Sequence, residues 1–290
     1  MKLSMTAFPL FPRFGILDSV SMIADAGFDA VDFSFIDMRD PKSKVYNALM
    51  AEDYRQACAD ALQAVKARGA VFNQAHAPFG GGYDNYLNNL VPLFPRVFEC
   101  AALLEIPTLV VHPIQRGRFY GHEDEMLQLS IDFYKSLIPL AKEYGVRIGV
   151  ENMWQMDSRN YIVDDTLAAP EQFCACMDAL PAEHFTACLD LGHVELCGRE
   201  AKDFIRRLGH DRLGALHVHD VDRIRDLHTL PYLGKLNWDD ITAALRDVDY
   251  TGDFTYEVES FLHPLDDSFI PTALRFMHDV GRHLINKIKQ

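Results

Sequence analysis

The chain predicts a (β/α)8 barrel, and three observations carry that reading. Short β-branched or aromatic runs alternate with longer stretches of helical periodicity. Eight such units fill 290 residues, which suits one α/β barrel better than two small domains. Polar residues that ligate hard cations follow strand after strand, as a closed ring requires. An open doubly wound sheet, the less favoured alternative, would gather them at one switch point. The expected organisation is a single domain over residues 1–290.

The strands are expected at 3–8, 30–35, 70–76, 108–113, 147–152, 185–190, 213–219 and 253–259. Each is a short apolar run bounded by turn residues, and the alternation with helices makes them parallel. Helices are expected to fill the gaps at 18–27, 51–68, 84–105, 123–144, 170–180, 200–208, 238–247 and 269–287. Glycines in DAGFDA, KARGAV and KEYGVR close three of them as C-caps. No long linker or low-complexity tract interrupts the series.

Composition narrows the function classes. A net charge of -14 with no local Lys/Arg cluster opposes binding to nucleic acid or to anionic membrane surfaces. No apolar run approaches the roughly 20 residues of a membrane span. The first residues, MKLSMTAFPLFPRFG, place prolines where a signal peptide needs an unbroken apolar stretch. Six cysteines without C-x-x-C spacing suit a reduced compartment, so the expected location is cytoplasmic.

Glu151, Asp190, His217 and Glu257 each stand at the downstream end of an apolar run, in RIGVENM, ACLDLGH, GALHVHD and DFTYEVES. Hard ligands delivered singly from four segments are how a barrel builds one metal site at its C-terminal rim. His76, His112, His193, His219, Asp226 and His228 occupy comparable positions. His217 and His219 share strand parity. His217 ranks first because LGALH runs directly into it, and Glu257 ranks above Glu259 because FTY immediately precedes it. A charged residue ending an apolar strand has little structural use unless paired or metal-bound, so Glu151 and Glu257 are the strongest candidates.

Bland readings stand beside these. Asp190 could simply cap the next turn, His193 could lie on a helix surface, and a lone His112 before Pro113 could be satisfied by backbone. Asp226 and His228 could be ordinary loop residues. Trp154, Phe11, Phe14 and Phe35 could line a sugar pocket, although core packing suits any one aromatic better. Arg116, Arg118 and Lys235 fall on predicted rim loops and could meet a substrate phosphate, although nothing in the spacing requires it. The Gly80–Gly82 run lacks the lysine and spacing of a phosphate loop and reads as a mobile rim loop.

Taken in order, HAPF at 76–79, VVHP at 110–113, GVEN at 149–152, CLDLGH at 188–193, HVHD at 217–220, the D-x-H of Asp226 and His228 followed by LPYLGKLNW, and GDFTYEVE at 252–259 resemble the xylose isomerase-like barrel superfamily. That superfamily holds sugar-phosphate isomerases, ketose 3-epimerases and the endonuclease IV family. The resemblance covers nearly the whole chain.

It implies one divalent cation, Mn, Zn, Co or Mg, held by Glu151, Asp190, His217 and Glu257. The substrate would be a small sugar or sugar phosphate, touched by His193, His76, His112, His219 and Trp154. Glu151 and Glu257 would be catalytic, flanking an enediolate, one taking a proton and the other returning one. The expected activity is therefore a metal-dependent isomerase or epimerase of carbohydrate metabolism. An inosose-type dehydratase on the same site is the main rival.

His76, His112, Asp226 and His228 also resemble the extra ligands of an endonuclease IV-like zinc phosphodiesterase, leaving room for a second or third zinc. The acidic charge opposes DNA as substrate. A non-catalytic sugar-binding barrel is a further alternative, against which the intact glutamate pair speaks. Barrels of this kind often form homo-oligomers.

Overall fold

The computed structural model describes residues 1–290. Its strands in chain order are β1 (Leu3–Thr6), β2 (Ala30–Ser34), β3 (Val71–His76), β4 (Thr108–Val111), β5 (Arg147–Glu151), β6 (Trp154–Met156), β7 (Ile162–Asp164), β8 (Phe185–Asp190), β9 (Leu213–His217) and β10 (Phe254–Tyr256). Eight form one parallel sheet in the order β10-β1-β2-β3-β4-β5-β8-β9. A parallel bridge between Val218 and Tyr256 joins its two edges. The Val218 amide donates to Thr255 O at 2.9 Å, and the Glu257 amide donates to Val218 O at 3.1 Å. The barrel closes one residue beyond His217, which sets His217 and Glu257 on neighbouring strand ends.

All eight expected strands form. The hairpin of β6 and β7 was not expected from sequence, because three-residue strands carry too little alternation to be read. It presents Trp154 on the rim.

The expected helix at 84–105 is broken. Its stretch divides into Gly82–Asn85, a π-turn at Tyr86–Leu90, a 3-10 turn at Val91–Leu93 and a helix at Phe94–Leu103. Pro92 and Pro95 lack the N–H that a continuous helix needs. The helix expected at 123–144 likewise restarts at Ile138, one residue before Pro139. Gly145 caps it with φ 66°, as KEYGVR predicts. Short helices at Phe11–Phe14, Lys44–Met50 and Leu191–Leu196 were not foreseen.

The main hydrophobic core lies between strands and surrounding helices, where outward-facing strand residues meet apolar helix faces. The barrel interior is different. Its apolar part is a small cluster of Val110, Cys188 and Ala215, and much of the rest is polar. A register shift between Val31 and Asp32 accommodates an extra residue on β3, so Asn73 and Gln74 both reach Thr255, at 3.1 and 3.3 Å. Ser4 donates to Asn73 at 2.7 Å, and Gln74 donates to Asp32 at 3.3 Å. Burial pushes Asp32 up to about 6. This hydrogen-bonded layer is the floor beneath the site.

Candidate metal and substrate site

Glu151, Asp190 and His217 are the last residues of β5, β8 and β9, and Glu257 follows β10. One ligand atom from each lies within 4.8 Å of every other. His217 Nδ1 is 2.8 Å from Glu151 Oε1 and 3.4 Å from Glu257 Oε2, so the two carboxylates meet across one imidazole. All four residues are buried. Burial alone would raise the Glu151 carboxyl, but the charges of His217 and His112 hold it well below the usual range.

Asp190 both caps and faces the site. Its Oδ1 accepts the His193 amide at 2.7 Å at the start of the helix Leu191–Leu196. His219 Nε2–H donates to both Asp190 oxygens at 3.0 Å. Asn152 clamps the same strand end: its amide donates to Asp190 O at 3.0 Å, and its oxygen accepts the Asp190 N–H at 2.8 Å.

His76 and His112 gather on the other oxygen of Glu151. Each Nε2 lies 3.2 Å from Oε2. His193, His219, Asp226 and His228 form a further group within 4.8 Å, alongside the one at Glu151. His228 Nε2 is 3.1 Å from Asp226 Oδ2, and His193 Nε2 is 3.7 Å from it. Asp226 Oδ1 is buried without a partner. The loop at Asp226 and His228 is thus turned inward, and His228 takes φ 42°, a conformation that only surrounding contacts sustain.

Three of these imidazoles share one arrangement. The Nδ1–H of His76 donates to Ala77 O at 2.8 Å, that of His193 to Asn152 O at 2.8 Å, and that of His228 to Glu257 O at 3.0 Å. A carbonyl can only accept, so the neutral ring in each case carries its lone pair on Nε2, aimed at carboxylates. That is the tautomer a metal ligand requires. Three buried carboxylates converging on imidazoles also need neutralising charge. The donor set therefore fits divalent cations.

A cavity of about 360 Å³ opens above these groups. Glu151, Glu257, His76, His112, His193, Asp226 and His228 line its floor, and Phe8, Ile36, Phe79, Met153 and Trp154 supply apolar wall. Trp154, His193, His76 and His112, expected from the sequence to touch substrate, line this cavity. His219 does not. It is fully buried, stacked on His228 with centroids 3.9 Å apart and planes within 6°, and spent on Asp190. Strand parity could not separate His217 from His219, because the strand ends between them. Phe11 and Phe35 lie in the core and Phe14 packs against it.

Sequence reasoning missed Phe8, Phe79, Met153, Arg39 and Glu259 as cavity residues. Glu259, pushed up to about 7 by burial, had a readable signal: it stands two residues after Glu257, on the same parity. All six cysteines are free thiols. No helix is long and apolar enough to cross a membrane.

A parallel barrel with carboxylates and imidazoles ringing its C-terminal rim defines a (β/α)8 architecture with a candidate metal centre. The chain belongs to the xylose isomerase-like TIM barrel family, whose pattern matches residues 20–278. It is 26% identical over 273 residues to the uncharacterized protein y4fM of Sinorhizobium fredii, covering 88% of this chain and 84% of that one. It is 30% identical over 118 residues to a D-psicose 3-epimerase of Enterocloster bolteae, a stretch covering 41% of this chain and 35% of that enzyme. The solved structure of a D-tagatose 3-epimerase-like protein matches with TM-score 0.73 at 17% identity, over 99% of this chain and 98% of that one. The E. coli 3-keto-D-glucoside 4-epimerase YcjR matches with TM-score 0.70 at 17% identity, over 98% and 99%. At such identities the structural likeness establishes the fold.

Proposed function

We propose that this protein is a metal-dependent sugar or sugar-phosphate isomerase or epimerase that works by proton transfer. The observation that carries this is the facing of Glu151 and Glu257 across His217 Nδ1, at 2.8 and 3.4 Å, on the floor of an open cavity. Support comes from three of the similar proteins, one named as a D-psicose 3-epimerase, one as a D-tagatose 3-epimerase-like protein and one as a 3-keto-D-glucoside 4-epimerase.

Glu151, Asp190, His217 and Glu257 would hold one divalent cation, Mn, Zn, Co or Mg. Bound there, it supplies positive charge against the negative charge that develops on substrate oxygens when a proton leaves the adjacent carbon. The protein's own groups do the rest. One glutamate takes the proton and the other returns one, their roles exchanging between directions. His193, His76, His112 and Trp154 hold and orient the sugar, and the apolar wall excludes water. A dehydratase would share the first proton transfer and differ by expelling a hydroxyl.

A second reading rests on the three backbone-fixed imidazoles. With Nε2 of His76, His193 and His228 each turned toward a carboxylate, His76, His112 and Glu151 could hold a second cation, and His193, Asp226 and His228 a third. That composition suits a zinc phosphodiesterase. Charge weighs against DNA as its substrate, since the chain carries -14 and one arginine lines the cavity.

Incubation with a panel of ketoses, ketose phosphates and inosose in deuterated water tests the main reading. Deuterium entering the carbon beside the carbonyl is expected, and the product separates epimerase from dehydratase. No exchange on any member, together with hydrolysis of a phosphodiester, would reject it.

A further inference from the structure

We propose that the substrate carries an anionic group, bound between Arg39 and the backbone amides of Gly80, Gly81 and Gly82. This rests on the sugar-directed reading of the site and adds its substrate class: a ketose bearing a phosphate or a carboxylate.

Arg39 ends the 3-10 turn Ile36–Arg39 that follows β2, and it reaches the cavity mouth. Its guanidinium carbon sits 5.8 Å from the Phe79 ring centre, and Nη1 lies 3.5 Å from Phe79 O, at the limit of a hydrogen bond. It is the one Arg or Lys among the residues lining this cavity. Glu151, Asp226, Glu257 and Glu259 line the same cavity, yet Arg39 forms an ion pair with none of them. A guanidinium offers a planar fork of donors that matches carboxylate and phosphate, and here the fork stands exposed at the cavity mouth with no carboxylate on it.

The cations suggested by sequence do not serve. Arg116 is paired with Glu125 and lies over Tyr83. Arg118 and Lys235 do not line the cavity.

Opposite Arg39 runs the glycine loop. Gly80, Gly81 and Gly82 have φ of 105°, 76° and 79°, a left-handed run that side chains would strain. A Cβ on Gly80 would stand 3.5 Å from Arg39 Nη1, so loop and guanidinium are immediate neighbours. The three amides donate to no acceptor within the protein. A smaller cavity lined by Gly80, Gly82, Tyr83 and Tyr86 shares Phe79, His112 and Gln115 with the main one. A sugar held over Glu151 and Glu257 can therefore extend a charged end past Phe79 toward Arg39 and the solvent-facing amides of this loop.

The test is calorimetric titration of the metal-loaded protein with D-fructose, D-fructose 6-phosphate and the keto acid 5-keto-D-gluconate, repeated for Arg39→Gln. At least one anionic probe is expected to bind about 30-fold or more tighter than D-fructose, and Arg39→Gln to reduce that preference about tenfold or more. The phosphate and carboxylate arms separate the two sources of the anion. Equal affinity for D-fructose, no binding by any probe, or a preference unchanged in Arg39→Gln would overturn the proposal. Deuterium exchange on the same samples keeps the two claims apart. Anion binding without exchange on any sugar contradicts the epimerase reading alone, and exchange with equal affinities contradicts the anion site alone.

Discussion

Asp220 accepts the indole N–H of Trp238 on Oδ2 at 2.8 Å, and this bond closes the long loop that carries Asp226 and His228. The same carboxylate accepts the amides of Val221, Tyr232 and Leu236 at 2.9, 2.9 and 3.1 Å. Within the loop Arg223, His228 and Tyr232 all take positive φ. Four hydrogen bonds to one buried carboxylate hold a backbone that would otherwise relax.

Asp220→Ala leaves four donors without their acceptor, three of them backbone. It is expected to lower unfolding free energy by about 3–5 kcal/mol in urea titration, as loss of a buried charged partner does. Asp226 and His228 should lose their fixed geometry with it. Wild-type stability in the variant would show that the loop is held by other means.

Gly192 lies under His219. A Cβ there would stand 2.1 Å from the imidazole Cε1, so Gly192→Ala must displace the ring that holds Asp190. A destabilisation of about 1–3 kcal/mol is expected. The same substitution made in a His219→Ala background should cost at least about 1 kcal/mol less, a coupling read by a double-mutant cycle. Equal costs in both backgrounds would contradict the packing described.

Metal-free protein should have an unusual pH profile. Burial would lower His193, but the charges of Asp190, Asp226 and Glu151 override it and raise the ring to about 10. The stabilisation from its charged form is complete below the unfolded value of about 6.5 and is lost as pH rises toward about 10. Asp226, held well below its ordinary range chiefly by His193 and His228 against the effect of burial, contributes above about pH 4 and loses that contribution as pH falls. Thermal denaturation of chelator-treated protein should therefore show stability falling from pH 6.5 to 9. With metal bound the imidazoles are neutral, and the gap between loaded and stripped protein should widen over the same range. A stripped protein that gains stability with rising pH would refute this.

Elemental mass spectrometry of protein purified without added salts should find at least one divalent cation per chain. If the group at Asp226 is also a site, His228→Ala should remove about one equivalent and leave that at Glu151, Asp190, His217 and Glu257. Protein that takes up no divalent cation would remove the basis for a metal centre.

Much of the barrel and its rim was legible in the sequence. Glu151, Asp190, His217 and Glu257 could be read because each ends an apolar strand, where position along the chain fixes position in space. His76 and His112 follow the same rule on β3 and β4. Loop residues resisted, because nothing in the spacing of Asp226 and His228 shows that Asp220 folds the loop inward. His219 was misjudged because β9 ends at His217, and the chain changes direction before parity can count further. Arg39 and Phe79 reach the cavity from turns beyond their strands, where alternation gives no guide.

The most direct test of the central claim is proton exchange by Glu257→Gln. Wild-type protein with its best sugar substrate in deuterated water should incorporate deuterium at the carbon beside the carbonyl. The variant, with folding checked by circular dichroism and metal content checked alongside, should exchange at least about 10³-fold more slowly, as loss of a positioned acid–base group requires. Exchange at the wild-type rate in the variant would contradict the assignment of Glu257 and the proton-transfer mechanism built on it.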